Sequence, residues 1–408
     1  MKRVAVIGAG VVGVASAYLL CRAGYAVTLV DRNHGPALGT SRANGAQLSY
    51  AYGDALGSPS LLRHLPEILM GRDPAYRVRL QADPEFLIWG LRLLAECLPA
   101  RSLANTRHLL GLASATRRLL EDVLAEFDLS FDYQVSGKMI LYSTAKAFES
   151  GANVHRLKQS MGIRQEVLDR DEATAIEPAL ALYPDPIGRV VYSPDDPAGR
   201  PDRFCAGLVD GLVRRYGLQT VFGEEVRGIR SLKGQVTGLS FATREPLDCD
   251  LVVMTTGGGL DLLPRGDRPF ASIWPVQGYS MTARASASAM RVSITDLKRK
   301  LVFARLGADV RIAGLADIGV KRLRFSGGRF VTFRSASIEA FGGTFDHGAD
   351  DVSPWSGARP CTPSSRPIIR PGHLKGLYLN LGHGTLGWTL CLGSAQYLLD
   401  LVTAGQGG

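Results

Sequence analysis

The chain has 408 residues, of which 46% are hydrophobic, 21% are charged and 47 are glycine, well above the usual glycine share of ~7%. This composition excludes a disordered, collagen-like or disulfide-dense chain, and no run of ~18 or more apolar residues marks a polytopic membrane protein. The length points to two packed domains. The net charge of +9 is scattered, with clusters at Lys298-Arg299-Lys300 and Lys321-Arg322-Leu323-Arg324. A surface favouring anionic substrates or an anionic membrane face is therefore expected, and nucleic acid is not.

In chain order, Val4-Ala5-Val6-Ile7 is a fully apolar run, as a buried parallel strand requires. Gly8-Ala9-Gly10-Val11-Val12-Gly13 follows, then a helical pattern that stops at Gly24, then a strand at 26–30 that ends in Asp31. Each part has a physical job in binding a dinucleotide. Gly8 permits the turn off the strand, Gly10 lets a pyrophosphate approach free N–H groups at the helix start, and Gly13 lets helix and strand pack closely. Asp31 accepts hydrogen bonds from a ribose hydroxyl and disfavours a 2′-phosphate. At this point both FAD and NAD fit.

Residues 40–47 are small and polar and predict a loop. Residues 66–127 predict mostly helix. Within them 86–98 are markedly apolar and too short to span a bilayer, which predicts a core helix, with interfacial membrane contact the alternative. Strands are predicted at 137–142, 219–222 and 226–231, a helix capped at 168–173 that ends near Glu177-Pro178, and a helix at 204–216. Asp250-Leu251-Val252-Val253-Met254 is a second buried strand, running into Thr255-Thr256-Gly257-Gly258-Gly259, the form of a further contact with the same nucleotide. Residues 275–314 hold several strand-like runs and predict a second, mostly antiparallel sheet. A strand at 377–381, the turn Gly382-His383-Gly384-Thr385-Leu386-Gly387-Trp388 and a helix at 389–404 complete the chain. The six cysteines are far apart with no CxxC, which predicts buried thiols in a reducing compartment. No secretory signal and no metal are expected.

Five motifs run in order over nearly the whole chain: Val6 to Gly13, Ser41-Arg42-Ala43-Asn44-Gly45-Ala46-Gln47-Leu48-Ser49, Trp274-Pro275-Val276-Gln277-Gly278-Tyr279-Ser280, Trp355 to Pro363, and Gly382 to Thr389. With them the chain resembles the D-amino-acid oxidase superfamily, and most closely the bacterial FAD-dependent D-amino acid dehydrogenase (small subunit) family. The resemblance implies an α/β, two-domain flavoenzyme. A Rossmann-like FAD-binding domain with glutathione-reductase-like FAD binding (1–85, 150–265 and 352–408) would interleave with a substrate domain built on a mostly antiparallel sheet (86–149 and 266–351).

It further implies non-covalent FAD, with the pyrophosphate at Gly8, Gly10, Val11, Val12 and Gly13, and the adenosine ribose at Asp31 beside Arg32. Ser41, Arg42 and Ala43 would reach the pyrophosphate or ribityl side, and Val226 the adenine. Thr256, Gly257 and Gly258 would close over the cofactor. His383, Gly384, Thr385 and Leu386 would face the isoalloxazine pyrimidine edge, where reduction builds up negative charge. By motif position Arg359 would take a substrate carboxylate, with Tyr279 and Tyr52 hydrogen-bonding the carboxylate or amine and Gln47 near the substrate. Arg305 and Arg311 are expected to be mainly structural.

The implied reaction is hydride transfer from the α-carbon of a D-amino acid to flavin N5, hydrolysis of the imino acid to a 2-oxo acid and ammonia, and electron transfer to a quinone or other acceptor. One alternative is an oxygen-using oxidase of glycine, sarcosine or a cyclic or hydroxylated D-amino acid such as hydroxy-D-proline. The other is a non-catalytic FAD subunit of a hetero-oligomer. A cytoplasmic enzyme, peripheral on the inner face of the membrane and assembled as a homo- or hetero-oligomer, fits the same resemblance. The chain departs from the family at Thr362-Pro363-Ser364-Ser365-Arg366, where relatives usually carry Asp-Gly after the Thr-Pro, and at Thr256-Gly257-Gly258-Gly259.

Overall fold

A computed structural model describes residues 1–268, 272–319, 321, 324–348 and 352–405. The expected segment end at 351, the final residues 406–408, and Arg322 and Leu323 of the basic cluster lie outside the described residues. The first half contains β1 (Arg3–Ile7), α1 (Val11–Arg22), β2 (Ala26–Asp31), α2 (Pro59–Leu69), β3 (Tyr76–Val78), α3 (Pro84–Glu96), α4 (Pro99–Glu126), β4 (Lys138–Tyr142), α5 (Ala145–Glu149), α6 (Ala152–Ser160), β5 (Glu166–Leu168), α7 (Arg170–Ile176) and β6 (Arg189–Ser193). There follow α8 (Pro201–Tyr216), β7 (Gln219–Phe222), β8 (Val226–Leu232), β9 (Gln235–Phe241), β10 (Leu247–Asp248), β11 (Leu251–Met254), β12 (Trp274–Arg284), β13 (Ser293–Asp296) and β14 (Leu301–Leu306). The last elements are β15 (Asp309–Ile318), α9 (Gly327–Phe341), β16 (Val352–Cys361), β17 (Ile368–Pro371), β18 (Leu377–Leu381) and α10 (Gly387–Ala404).

Two large sheets organise these elements. The first has the order β17-β18-β11-β1-β2-β7, parallel except for β17. Its central strands are buried on both faces, which is why they read as unbroken apolar runs. Helices α1, α4, α8 and α10 share one core beside it, built from residues such as Val14, Leu109, Leu208 and Leu398. The second sheet has nine described strands, in the order β16-β12-β15-β14-β13-β4-β6-β5 with β3 beside β15, mostly antiparallel. A small sheet, β10-β9-β8, stands apart. The mixed α/β class with a second, mostly antiparallel sheet is as expected.

Element membership differs from the expected segments in four places, the first being β3, within 1–85, which pairs with β15 of the nine-stranded sheet. Strands β5 and β6, within 150–265, pair into the nine-stranded sheet, and so does β16, within 352–408. Helix α4, within 86–149, instead packs with α1 and α10. Chain position does not reveal which sheet edge a strand reaches; the hydrogen-bond register does. The helical stretch predicted at 66–127 also starts earlier, at Pro59, and is interrupted by β3, because Asp83 and Pro84 restart the chain as α3.

Candidate functional site

The carboxyl end of β1 is where the first sheet makes its site. Gly8 has φ +105°, open to glycine, and a Cβ there would lie 2.8 Å from the Thr255 carbonyl oxygen. A Cβ on Gly13 would lie 1.7 Å from the Gly8 oxygen, so any side chain there drives α1 off β1. Gly10 differs: its Cβ would meet only Ser41 Oγ, at 3.4 Å. Protein packing does not demand that glycine, and its free side faces the cavity, as a close-approaching ligand requires. Gly10 caps α1, and the Val11 N–H donates to Ser41 Oγ (3.1 Å). The Asp31 carboxylate is clamped at the same edge, accepting from Ala9 N (2.7 Å) and from Asn33 N and Nδ2 (2.8 Å each).

One cavity of about 1080 Å³ runs from this edge to the nine-stranded sheet. It exceeds the ~300–1,000 Å³ of an ordinary small-ligand pocket. It is lined by Gly8, Gly10, Val11, Val12, Asp31, Arg32, Ser41, Ala43, Val226, Thr256, Gly257, Gly258, His383, Gly384, Thr385 and Leu386, and also by Gln47, Tyr52, Tyr279 and Arg359. Two of the expected cofactor residues are not in the lining. Gly13 lies buried beneath the turn, and Arg42 is exposed.

The glycine turns are tied to one another. Gly382 (φ +76°) donates its N–H to the Gly257 carbonyl (3.2 Å), and Gly384 donates to the Pro360 carbonyl (2.9 Å). Burial holds the His383 imidazole neutral, pushed down to about 3, and its Nε2 lies 2.9 Å from Ser394 Oγ. Behind it the first turn of α10 presents its amides to the cavity at Gly387 and Trp388, a partial positive charge suited to an anionic or electron-rich ligand edge. The two nucleotide-binding edges, the oversized cavity and this helix start fit an extended dinucleotide carrying a redox ring.

Arg359 is held on β16 opposite Val276 of β12. Its Nη1 donates to the Leu315 carbonyl (2.8 Å) and its Nη2 to the Gly314 carbonyl (3.2 Å). A bulge places two residues of β15, Leu315 and Ala316, opposite Gly278, and Leu315 takes a φ of +56°. That strained residue supplies one of the two carbonyls that aim the guanidinium. A Cβ on Gly278 would lie 2.3 Å from Nη2, so the glycine makes room for it. Among the described residues no carboxylate pairs with Arg359. A guanidinium aimed along a cavity wall with no carboxylate paired to it has the geometry and charge to receive one.

The other expected substrate residues are placed differently from one another. The Tyr52 ring carries two ammonium groups over it, Lys138 Nζ at 4.7 Å and Lys158 Nζ at 5.1 Å from its centroid. Gln47 Nε2 donates to the Phe303 carbonyl (3.0 Å) and pins its loop to the second sheet. Tyr279 touches the cavity, but its ring packs on Phe325 in the core of the nine-stranded sheet, and its hydroxyl sits in the field of Asp317, Arg77 and Arg329. Its neighbour Ser280 is the one that reaches the opposite side, donating to the Ala43 carbonyl (2.6 Å). Strand alternation sends these two neighbours to opposite faces of β12. Arg311 donates to Thr282 Oγ1 and the Asn44 carbonyl, and Arg305 to the Gly307 carbonyl, both supporting backbone. Ser49, Lys138 and Tyr76 line the cavity without having been singled out; a lysine opening the apolar strand 138–142 was the available signal.

The departures are absorbed locally. Ser365 takes the left-handed conformation (φ +64°) where relatives usually have glycine, donates its N–H to the Thr362 carbonyl (3.1 Å), and accepts from Leu56 N at Oγ (2.9 Å). Arg370 pairs with the buried Asp267 at 2.8 Å.

Three comparisons bear on these features. The family model described as DAO, FAD dependent oxidoreductase, matches residues 3–401. D-amino acid dehydrogenase 2 of Ralstonia nicotianae is 37% identical over 410 residues, covering 98% of this chain and 96% of the relative. D-amino acid dehydrogenase of Rhizobium johnstonii is 35% identical, with 99% and 96% covered. The crystal structure of glycine oxidase from Geobacillus kaustophilus superposes with a TM-score of 0.73 at 17% identity, covering 99% of this chain and 95% of that one, which shows the shared fold. This chain belongs to the DAO family of FAD-dependent oxidoreductases.

Proposed function

We propose that the chain is an FAD-dependent D-amino acid dehydrogenase that oxidatively deaminates its substrate and passes the electrons to a quinone or other carrier. The observation that carries this reading is Arg359, a carboxylate receptor facing the cavity that the glycine turns share. The names of the 35–37% identical relatives supply the D-amino acid. The pyrophosphate would be held at Gly8, Gly10, Val11 and Val12, the ribose at Asp31, the adenine end at Val226, and the ring at His383 to Leu386 and the start of α10. When bound, FAD supplies the two-electron acceptor for the substrate Cα–H bond. The chain's own residues do the rest. Arg359 fixes the carboxylate, and the Tyr52 ring forms part of the wall beside the substrate. The α10 amides favour negative charge at the ring edge, and because the buried His383 is neutral, that field comes from backbone dipoles rather than from an imidazolium.

The test is an anaerobic flavin-bleaching screen over D- and L-amino acids, D-proline, hydroxy-D-proline and N-methyl glycines. Bleaching by D-amino acids, with slow reoxidation by oxygen, supports the reading. Bleaching by none of them overturns it in favour of a non-catalytic FAD subunit. Rapid peroxide formation with glycine, sarcosine or a cyclic substrate assigns the oxidase alternative.

We also infer a peripheral membrane contact on α2 and α3. Phe86, Trp89 and Leu93 turn inward, while Leu87, Ile88 and Leu91 are exposed (Leu91 at 68%), together with Leu69, Met70 and Leu98. Such a face favours shallow insertion at a headgroup boundary. No helix among the described residues is long and apolar enough to cross a membrane.

A further inference from the structure

Lysine is among the residues least often buried, and it is buried only when something compensates its charge. Lys138 opens β4 in the middle of the nine-stranded sheet, between β13 and β6, and is 3% exposed. Its Nζ lies 2.6 Å from Ser49 Oγ, and the Tyr52 ring covers it at 4.7 Å. No carboxylate lies within salt-bridge distance of it among the described residues. Three charged groups surround it. Asp196, in the loop after β6, is buried and accepts from Ala51 N (3.1 Å). Lys158, from α6, is buried, lies over the same Tyr52 ring at 5.1 Å and pairs with Asp54 at 2.8 Å. The set is two ammoniums and two carboxylates, neutral in sum but short of direct pairing at Lys138. Ser49 and Lys138 both line the cavity that contains Arg359, and the Ser49 N–H donates to Thr389 Oγ1 (3.1 Å) on the first turn of α10.

We propose that Lys138, acting through the Ser49 hydroxyl, is the acceptor for the proton that the substrate ammonium must shed before its α-carbon can be oxidised. The inference rests on the amino-acid oxidation proposed above, and it adds the group that makes the amine neutral. In the step, the substrate N–H bond breaks and the Ser49 oxygen takes that proton while passing its own to Nζ. The amine lone pair is freed, and nothing is oxidised or reduced. After product leaves, the proton returns from Nζ through Ser49 to water in the cavity. The electrostatics suit this role. Burial, with Lys158 adding to it, pushes the Lys138 ammonium down, while Asp196 and Asp54 oppose the shift; burial also pushes the Asp196 carboxyl up. Both shifts bring the exchange of a proton nearer to neutral pH.

The first test counts protons on binding, with no turnover. The holoenzyme is titrated at pH 8.5 with 2-aminoisobutyrate, which has no α-hydrogen, in weak buffer with an indicator dye, and flavin absorbance reports occupancy. Wild type should keep the ammonium proton on Lys138, whereas Lys138→Met should release about one more proton per site. The second test is the anaerobic flavin-reduction rate from pH 6 to 10 with the best D-amino acid. Lys138→Met should be slower by ~10²-fold at pH 7 and converge on wild type at high pH. Lys138→Arg should follow it, since a guanidinium keeps the charge but cannot take the proton. Ser49→Ala should move the same acid limb. If Lys138→Met loses its fold or its flavin, the charge-balanced double variant Lys138→Met/Asp196→Asn and Ser49→Ala decide the matter. Wild-type proton counts and an unmoved acid limb in these variants would overturn the proposal, as would full activity in Lys138→Arg. A wild type that no D-amino acid bleaches sinks the activity instead, and the proton count with 2-aminoisobutyrate still reads Lys138.

Discussion

Removing the Arg359 guanidinium tests the site at its centre. In Arg359→Met the two hydrogen bonds to the Leu315 and Gly314 carbonyls disappear, at a net cost of about 0.5–1.5 kcal/mol each. The same substitution relieves the desolvation of a charge that no described carboxylate pairs with directly, so the two effects offset and the fold should hold. FAD retention should be unchanged, because Arg359 is not among the residues expected to hold the pyrophosphate, the ribose or the adenine. Substrate is another matter. Losing a desolvated, charge-assisted contact to a carboxylate costs roughly 2–5 kcal/mol, or about 30-fold to several thousand-fold in kcat/KM. Arg359→Lys should recover only part of this, since an ammonium cannot hold both backbone carbonyls and a carboxylate in one plane. The assay is flavin content by absorbance, thermal unfolding, and anaerobic flavin reduction against D-amino acid concentration. Wild-type kinetics in a yellow, folded Arg359→Met would refute the carboxylate assignment.

Four further outcomes follow from the same geometry. Gly13→Val should abolish flavin retention, because its Cβ would sit 1.7 Å from the Gly8 oxygen; a fully yellow variant contradicts this. Ser365→Ala should cost about 0.5–1.5 kcal/mol by urea unfolding, since it removes the Leu56 N–H partner and keeps the left-handed strain, whereas Ser365→Gly loses the bond but relaxes the backbone and should stay closer to wild type. The His383 imidazole is held at about 3 in the folded protein and titrates near 6.5 when unfolded, so its stabilising contribution is present above pH 6.5 and is lost as pH falls toward 3. Between pH 7 and 5 that loss is on the order of 2 kcal/mol, and His383→Gln should lose correspondingly less stability over the same interval; equal losses would contradict the assignment. Leu87→Glu/Leu91→Glu should abolish flotation of the protein with anionic vesicles without changing the flavin spectrum, and undiminished flotation would remove α3 from the membrane contact.

The local pieces were legible where one physical requirement dominates a short stretch. The run 4–7 can be apolar on both faces only as a buried strand, Gly13 is demanded by the Gly8 oxygen five residues back and Gly8 by its own positive φ, so turn and helix follow from local spacing, while the crowding of Gly8 by Thr255 does not. The resemblance extended this to Arg359 and the turn at 382–388. Tyr279 shows where such legibility stops. It and Ser280 sit side by side in one motif, and only the register of β12 against β15, shifted by the bulge at Leu315, decides that Ser280 crosses to Ala43 while the Tyr279 ring enters the core. Strands β5 and β6 are too short for their patterns to name a partner sheet, and the α4 stripe gives no sign that it packs against α1 and α10.

The sequence by itself determined a dinucleotide-binding edge, because glycine spacing is a steric condition on the local turn, and the flavin entered only with the family resemblance. The same resemblance pointed to Arg359 as the candidate partner of a carboxylate. Only the tertiary structure decided what surrounds that arginine. The Leu315 and Gly314 carbonyls, the gap at Gly278, and the set of buried Lys138, Lys158 and Asp196 with half-buried Asp54 come together from segments as far apart in the chain as Asp54 and Leu315. Their charges acquire meaning only when burial removes the water that would otherwise screen them, and burial is a property of the assembled sheets rather than of any local pattern.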